Sequence, residues 1–229
     1  MIVVTVCNIA EPGLMRLHKS VKAHGMRLEV LGMHRLYFGV ADKFVYLLEY
    51  LKNGCDDEFV MFLDAFDTVV VAHEDEIVQK YCEFEAQIVS SAEIPCWPDA
   101  HRKVEFVYTI GERYPFNNSG AYIARVSSLI ELLQGYDLKL GSGKDDQRLM
   151  ADTYLSAANC EQSIIKLDAR ANIFQSMFGV DDEEVKFNKD EGRVVNTVTG
   201  TRPCVIHGNG KSSMQSGIDY LQSLPEWQA

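Results

Sequence analysis

The first half of the chain alternates short apolar runs with segments of helical periodicity, and this alternation constrains the fold more than any other feature. Apolar runs at 2–6, 28–31 and 86–93 are typical of buried strands. Strands that are separated by helices favour a mainly parallel, doubly wound sheet with helices on its faces. We therefore predict an α/β fold with a mostly parallel central sheet.

Two helices are predicted between the first strands. Leu14, Leu17 and Val21 recur at helical spacing and give the first helix an apolar face. Residues 43–54 repeat this pattern and end at a glycine, which is a common helix stop. The glycine-containing segment 32–42 is expected to be a loop that leads into the second helix.

The second half of the chain is less regular. We predict a strand at 117–126, helices at 127–135 and 145–157, and a short strand that enters a glycine-rich turn within 202–213. Ser128 and Glu131 have the spacing of a capping box at the start of the first of these helices. The acidic segment 181–191 is expected to form a solvated loop or hairpin. No repeat or linker interrupts the sequence, so we expect one domain over 1–229.

Charge and cysteine content exclude several classes of protein. The net charge of −11, from 33 acidic and 22 basic residues, argues against general nucleic-acid binding. The six cysteines form no CxxC pair, so a zinc site among them is disfavoured and reduced thiols are expected. No apolar run reaches the roughly 18 residues of a membrane span. The opening MIVVTV is too short for a secretory signal, and we expect a cytoplasmic location.

The stretch FVMFLDAFDTVVV (59–71) places Asp64 and Asp67 directly after an apolar strand. One explanation is a turn, because aspartate favours turns. However, two neighbouring carboxylates repel each other unless a positive charge lies between them. Mg²⁺ and Mn²⁺ are suited to ligand sets of carboxylate and phosphate oxygens. In doubly wound sheets, ligands bind beyond the carboxyl ends of the strands, where these two aspartates are expected to lie.

The stretch IHGNGK (206–211) could complete such a site. His207 follows a short apolar run and could be a further metal ligand. Gly208 and Gly210 would let backbone N–H groups approach a phosphate, and Lys211 would add a positive charge. A metal bridging a diphosphate would stabilise a departing nucleotide. A purely structural turn is the alternative.

Three other motifs could face a sugar. Asp145 and Asp146 begin a predicted helix and could orient a reacting hydroxyl, or could simply interact with the helix dipole. Asn118 offers an amide for sugar recognition, with a turn before a strand as the alternative. Trp97 could stack on a sugar ring or be an ordinary packed aromatic residue.

These motifs occur together and in this order in one known family. The chain resembles the glycosyltransferase domain of the procollagen lysyl hydroxylase/glycosyltransferase family over nearly its whole length. The stretches that carry the resemblance are VTV (4–6), VLG (30–32), FLDAFDTVV (62–70), SSAEIPCWPD (90–99), YPFNNSGAYIA (114–124), DDQ (145–147), LDARANIFQSM (167–177) and VIHGNGKSS (205–213).

The resemblance implies a GT-A type fold and a metal-dependent transfer of a sugar from a UDP-sugar to an acceptor hydroxyl, with retention of configuration. The implied metal is Mn²⁺, with Mg²⁺ as a possible substitute, and its ligands would be Asp64, Asp67 and His207. Asp145 and Asp146 match the acidic pair that the family needs for transfer. The implied acceptor is a glycan or a hydroxylysine-type peptide.

The resemblance also implies donor contacts. Thr5 and Lys43 match residues that contact the donor, and Phe66 stands where the family usually has a tyrosine against the uracil ring. Trp97 and Asn118 fall on the sugar or acceptor side of the cleft.

The chain departs from the collagen-modifying enzymes in ways that suit a viral or microbial relative with another acceptor. The loop from Gly32 to Lys43 is shorter than theirs, and Tyr37 is the nearest counterpart of their tryptophan. There is no room for the hydroxylase portion, so its Fe(II)/2-oxoglutarate chemistry is not implied. A non-catalytic UDP-sugar binding module is the alternative function. A haloacid-dehalogenase type phosphotransferase is disfavoured, because its aspartates are spaced DxD on a first strand.

Overall fold

A computed structural model of the chain describes residues 1–157 and 164–227. Its strands are β1 (Ile2–Val6), β2 (Leu28–Leu31), β3 (Phe59–Leu63), β4 (Thr68–Val70), β5 (Ile88–Glu93), β6 (Phe116–Arg125), β7 (Ile165–Asp168), β8 (Phe174–Ser176), β9 (Val185–Asn188), β10 (Arg193–Asn196) and β11 (Val205–His207). Its α-helices are α1 (Pro12–Ala23), α2 (Asp42–Gly54), α3 (Glu74–Glu83), α4 (Val126–Gly135), α5 (Asp146–Ala157) and α6 (Gln215–Gln222).

The central sheet has six strands in the order β2-β1-β3-β6-β5-β7. Three of its five pairings are parallel: β1 with β2, β1 with β3, and β5 with β7. Strand β6 runs antiparallel to both of its neighbours, β3 and β5. The predicted α/β fold with a mostly parallel central sheet is therefore confirmed.

The first half of the chain forms the elements that its periodicity predicts. Every residue of β1 is buried, as expected for a strand with helices on both faces. Leu14, Leu17 and Val21 of α1 are buried, and the chain leaves this helix through Gly25, whose φ of +73° suits a glycine. In α2, the apolar face predicted from sequence packs into the core through Phe44, Leu47 and Leu51.

A second sheet of three strands, in the order β4-β11-β8, lies at the carboxyl end of β3. The register of β4 against β11 places His207 opposite Thr68, the residue that follows Asp67. The N–H of Gly208 also donates to the carbonyl of Asp67 over 2.7 Å. Backbone pairing thus brings together two segments that are 140 residues apart in sequence, at positions 67 and 207.

Two details of the sequence-based prediction change, and one of its open alternatives is decided. The helix α3 was not predicted, because only Ile77 and Tyr81 of its ten residues are buried and its apolar stripe is narrow. The capping box is wrong: α4 begins at Val126, so Ser128 lies inside the helix and its hydroxyl donates to Gln87 instead. The acidic segment at 181–191 enters a hairpin, formed by β9 and β10.

Among the described residues, all five cysteines are free thiols, at positions 7, 55, 82, 96 and 204, and Cys160 lies outside the described part. Within residues 1–157 and 164–227, no helix combines the length and apolar character that a membrane crossing requires.

Leu47 is fully buried between α2 and the central sheet, whereas Leu36 is 66% exposed. We predict that Leu47→Ala lowers the free energy of unfolding by about 2–5 kcal/mol, because it removes buried methyl groups and leaves a cavity. Leu36→Ala is the matched control and should change stability by less than about 0.5 kcal/mol. Chemical denaturation followed by circular dichroism measures both, and equal effects would contradict the core described above.

Candidate active site

Asp64, Asp67 and His207 converge beyond the carboxyl ends of β3 and β11. The Nε2 atom of His207 lies 3.5 Å from a carboxylate oxygen of Asp67 and 3.9 Å from one of Asp64. One potential ligand atom from each residue lies within 4.8 Å of the other two. The turn between the aspartates is closed by the Thr68 hydroxyl, which donates to the Asp64 carbonyl over 2.6 Å. The turn explanation and a cluster of metal-type ligands therefore coexist.

Gly120 makes room for this triad. It lies in β6, and its carbonyl accepts the N–H of Asp64 over 2.8 Å. A Cβ atom at this position would lie 2.2 Å from the His207 ring and 2.6 Å from a carboxylate oxygen of Asp64. Because no side chain fits these distances, the glycine is required for the histidine and the aspartate to face each other.

The three side chains perturb one another electrostatically. Burial raises the pKa of Asp64, although Lys43 and His207 oppose the shift. For Asp67, burial is outweighed by the hydrogen bond and charge of His207, so its pKa is lowered. For His207, burial is outweighed by Asp67 and Asp64, so its pKa is raised. The site therefore favours a positive charge near the His207 Nε2 atom, which a proton or a metal ion could supply.

Lys43 connects this triad to the start of α5. Its side chain is buried, and its Nζ atom lies 3.1 Å from Asp64 and 2.6 Å from Asp146. Burial alone would lower the pKa of Lys43, but the charges of Asp146 and Asp64 raise it well above its ordinary value. Lys43 is therefore a charged ammonium group held between two carboxylates.

Asp145 and Asp146 are adjacent but face different surroundings. A carboxylate oxygen of Asp145 accepts the N–H of Arg148 over 2.8 Å, which is the hydrogen bond of a helix N-cap. Asp146 is buried and points at Lys43. The first aspartate therefore caps α5, whereas the second faces the site.

A cavity of about 520 Å³ opens on one side of the triad. Its lining includes Lys43, Asp64, Phe66 and Asp67, together with the exposed Lys211 and the half-buried Tyr37. The backbone of Phe66 is held in place by Arg16, because the Arg16 guanidinium donates a hydrogen bond to the Phe66 carbonyl over 2.8 Å. Among the residues predicted to bind the metal, the nucleotide or its phosphates, Lys43, Asp64, Phe66, Asp67 and Lys211 line this cavity, whereas Thr5, His207, Gly208 and Gly210 do not.

Thr5 and Gly208 support the backbone of the site. Thr5 is fully buried, and its hydroxyl donates to the carbonyl of Leu63 over 2.6 Å, directly before Asp64. The N–H of Gly208 is engaged by the carbonyl of Asp67. Met214 and a backbone oxygen lie within 2.8 Å of where a Cβ of Gly208 would stand, so the turn closes tightly there.

A second cavity, of about 350 Å³, is lined in part by Asn209 and Gly210 of the 209–211 turn. Three residues predicted from sequence line it: Trp97, which is 66% exposed, Asn118 and Gly210. Gly210 has a φ of +65°, and a Cβ there would lie 2.4 Å from the Phe178 ring. The predicted sugar-side residues Trp97 and Asn118 therefore line one cavity, together with Gly210, which was predicted to approach a phosphate.

Glu93 organises this second cavity, and sequence reasoning gave it no role. Its two oxygens accept the side-chain amides of Gln147 and Asn209, each over 2.6 Å. Gln147 also donates to the carbonyl of Trp97 over 2.9 Å. Burial raises the pKa of Glu93 to about 7, against the effect of these hydrogen bonds. The signal in the sequence is an acidic residue that ends an otherwise buried strand, since buried glutamates are rare unless paired.

Comparison with known proteins identifies the family. The sequence matches the family model of the PLOD GT domain over residues 1–226. The chain belongs to this family. The resemblance inferred from the motifs is thereby confirmed.

Proteins similar to this PLOD GT domain are much longer. It is 32% identical to the multifunctional procollagen lysine hydroxylase and glycosyltransferase of Caenorhabditis elegans, over 96% of the chain and 32% of that protein. It is 26% identical to LH3 of Homo sapiens, over 96% of the chain and 31% of that protein. For procollagen-lysine,2-oxoglutarate 5-dioxygenase 1 of Mus musculus the identity is 30%, over 96% and 31%. The chain spans about a third of the length of the curated relatives it matches.

Solved structures with the same fold are glycosyltransferases. A glycosyltransferase involved in glycosylation of the major capsid of PBCV-1 aligns with a TM-score of 0.51 at 9% identity, over 97% of this chain and all of the other. The bifunctional glycosyltransferase WbbM aligns with a TM-score of 0.52 at 14% identity, over 99% of this chain and 50% of the other. Identities this low show the fold alone, which is the predicted GT-A fold. Family and fold together identify a glycosyltransferase domain.

The raised pKa of Glu93 makes a prediction about pH. Because the folded-state pKa of about 7 exceeds the ordinary 4.5, folding favours the protonated form, and this stabilisation is fully present below about pH 4.5 and lost as the pH rises through 7. Glu93→Gln removes it. The stability difference between wild type and Glu93→Gln should therefore fall by up to about 3 kcal/mol between pH 4.5 and pH 8.

Denaturation at a series of pH values measures this difference, with the exposed Glu131→Gln as control. Groups that do not interact with Glu93 cancel in the comparison, whereas His207, whose charge is coupled to that of Glu93, does not. A difference that does not change with pH would show that Glu93 is ionised throughout this range.

Proposed function

We propose that residues 1–226 act as one catalytic domain that transfers a sugar from a UDP-sugar to an acceptor hydroxyl with the help of a divalent metal ion. The observation that carries this proposal is the cluster of Asp64, Asp67 and His207: both aspartates line the larger cavity, and the turn that follows His207 lines the smaller cavity through Asn209 and Gly210. A diphosphate bound at this cluster would have its nucleotide in the larger cavity and its sugar towards the smaller one.

The ligand set fits Mn²⁺, with Mg²⁺ as a substitute. Two carboxylates and one imidazole provide the oxygen and nitrogen donors that such ions accept, and Gly120 leaves the space between them open. A bound divalent ion supplies positive charge that stabilises a departing diphosphate. The raised pKa of His207 means that binding of the metal competes with a proton, so affinity should rise with pH.

The larger cavity suits the nucleotide. Phe66 presents an aromatic ring for stacking against uracil, and Tyr37 lies across the same cavity. Lys211 brings a positive charge to this cavity from the turn after His207. Thr5 acts indirectly in this proposal, because it holds the backbone from which Asp64 projects.

The smaller cavity suits the donor sugar and the incoming hydroxyl. Glu93, Asn118, Gln147 and Asn209 surround it with hydrogen-bonding groups, and Trp97 offers an exposed aromatic face. We assign Asp146 as the carboxylate that takes part in sugar transfer. Lys43 holds it beside the metal ligands. The family resemblance supports retention of configuration, and the names of the relatives support a hydroxylysine-type peptide or a glycan as acceptor.

A panel of UDP-sugars tests this function directly. Each sugar is incubated with the protein and Mn²⁺ or with EDTA, and the release of UDP is followed. Metal-dependent release of UDP from one sugar would support the transferase and name its donor. Metal-dependent binding of UDP without release from any sugar, with or without an acceptor, would support the non-catalytic binding module instead.

The metal assignment makes a separate prediction. Asp67→Ala should weaken Mn²⁺-dependent UDP binding by more than about 100-fold, because it removes a direct ligand. Asp75→Ala, an exposed aspartate on α3, is the control and should bind like the wild type. Calorimetric titration measures both, and an unchanged affinity of Asp67→Ala would remove Asp67 from the metal site.

The two aspartates at the start of α5 should differ in their effect on turnover. Asp146→Asn should lower kcat by about 100-fold or more with little change in UDP affinity, since it removes the negative charge that we assign to the transfer step. Asp145→Asn should retain most activity, because asparagine is an equally good N-cap. Steady-state kinetics with the donor found above distinguish them, and the reverse order of effects would contradict the assignment.

A further inference from the structure

Asp42 is a buried carboxylate to which the proposed chemistry gives no role. It begins α2 and is 1% exposed. One of its oxygens accepts the N–H groups of Phe38, over 2.6 Å, and Gly39, over 3.3 Å. The other oxygen accepts the N–H of Gly141 over 2.8 Å. All three donors lie in loops rather than in α2, so Asp42 connects two loops that are about 100 residues apart in sequence.

Both loops border the candidate active site. The donor loop, residues 32–41 between β2 and α2, carries Tyr37 and Val40 into the larger cavity. The acid loop, residues 136–145 between α4 and α5, leads directly into Asp146. The two oxygens of Asp42 therefore reach one loop on the nucleotide side and one loop on the transfer side.

Packing supports the same connection. Gly141 has a φ of +71°, and a Cβ there would touch the Phe38 ring at 3.4 Å, so the aromatic ring of the donor loop lies against the glycine of the acid loop. The next residue after Asp42 is Lys43, which is paired with both Asp64 and Asp146. The first turn of α2 thus holds both loops and both inward-facing aspartates.

We propose that Asp42 is a positioning residue that couples the donor loop to the acid loop, so that nucleotide in the larger cavity orders the segment that presents Asp146. The choice of a nucleotide as the ligand rests on the proposed function, whereas the contact of Asp42 with the two loops does not. Asparagine has nearly the same shape as aspartate but only one acceptor oxygen. In Asp42→Asn, one of the two loops must therefore lose its partner.

Hydrogen–deuterium exchange of the intact protein tests the contact without any ligand. Asp42→Asn should accelerate exchange about tenfold in the donor loop, the acid loop or both, while β1 and β3 exchange as in the wild type. Gly141→Ala strains the acid-loop residue that donates to Asp42. It should accelerate exchange in the acid loop although Asp42 is unchanged. Unchanged exchange of both loops in Asp42→Asn, or acceleration spread evenly over the chain, would overturn the proposal.

Asp168→Asn is the matched control. This buried aspartate also accepts three backbone N–H groups, from Asn172 and Ile173 in the loop before β8 and from Phe174 at the start of β8, and none of these residues lines either cavity. It should accelerate exchange in its own loop and leave the donor and acid loops unchanged.

Exchange in the presence of UDP and Mn²⁺ then tests the coupling. In the wild type, the ligand should slow exchange in both loops, whereas in Asp42→Asn it should slow the donor loop only. Equal protection of the acid loop in the two proteins would overturn the coupling. If UDP protects no segment of the wild type, the proposed function fails on its own, and the exchange without ligand still decides whether Asp42 holds the two loops together.

Discussion

The buried ammonium group of Lys43 is the interaction on which the acidic site depends. Asp64 comes from the end of β3 and Asp146 from the start of α5, and each would repel the other without the positive charge between them. The same ammonium lies 5.1 Å from the centre of the Phe62 ring, so α2, the central sheet and α5 meet around one charge. Removal of that charge would leave the buried carboxylate of Asp146 uncompensated beside Asp64, and an unpaired buried charge is strongly destabilising.

Close backbone approach is the second requirement. The triad exists because β4 and β11 pair in a register that sets His207 beside Asp67, and because Gly120 leaves the space in which the histidine and Asp64 face each other. Gly13 has a similar role, since a Cβ there would lie 2.1 Å from the carbonyl oxygen of Phe66. Helix α1 can therefore press directly against the turn that carries both aspartates, and the turn has little freedom to move.

The parts of the fold that depend on local periodicity could be predicted from sequence, and those that depend on distant partners could not. Buried strands and amphipathic helices carry their pattern within a few residues, as β1 and α2 do. Glu93 was missed because its partners Gln147 and Asn209 are 54 and 116 residues away in sequence. The different roles of Asp145 and Asp146 depend on the residue at which α5 begins. If this helix began one residue earlier or later, a different side chain would cap it and a different one would face the site. The triad was proposed from the combination of its motifs and from their resemblance to a family, whereas the spacing of two aspartates alone favoured a turn.

Anomalous diffraction from crystals grown with UDP and Mn²⁺ tests the central claim most directly. Data collected at the manganese absorption edge locate the ion without reference to any assumed site. A peak coordinated by Asp64, Asp67 and the Nε2 atom of His207, with the UDP diphosphate as a further ligand, is the predicted result. A UDP molecule bound with no manganese between these three residues, or manganese bound elsewhere, would contradict the metal-dependent function proposed for this domain.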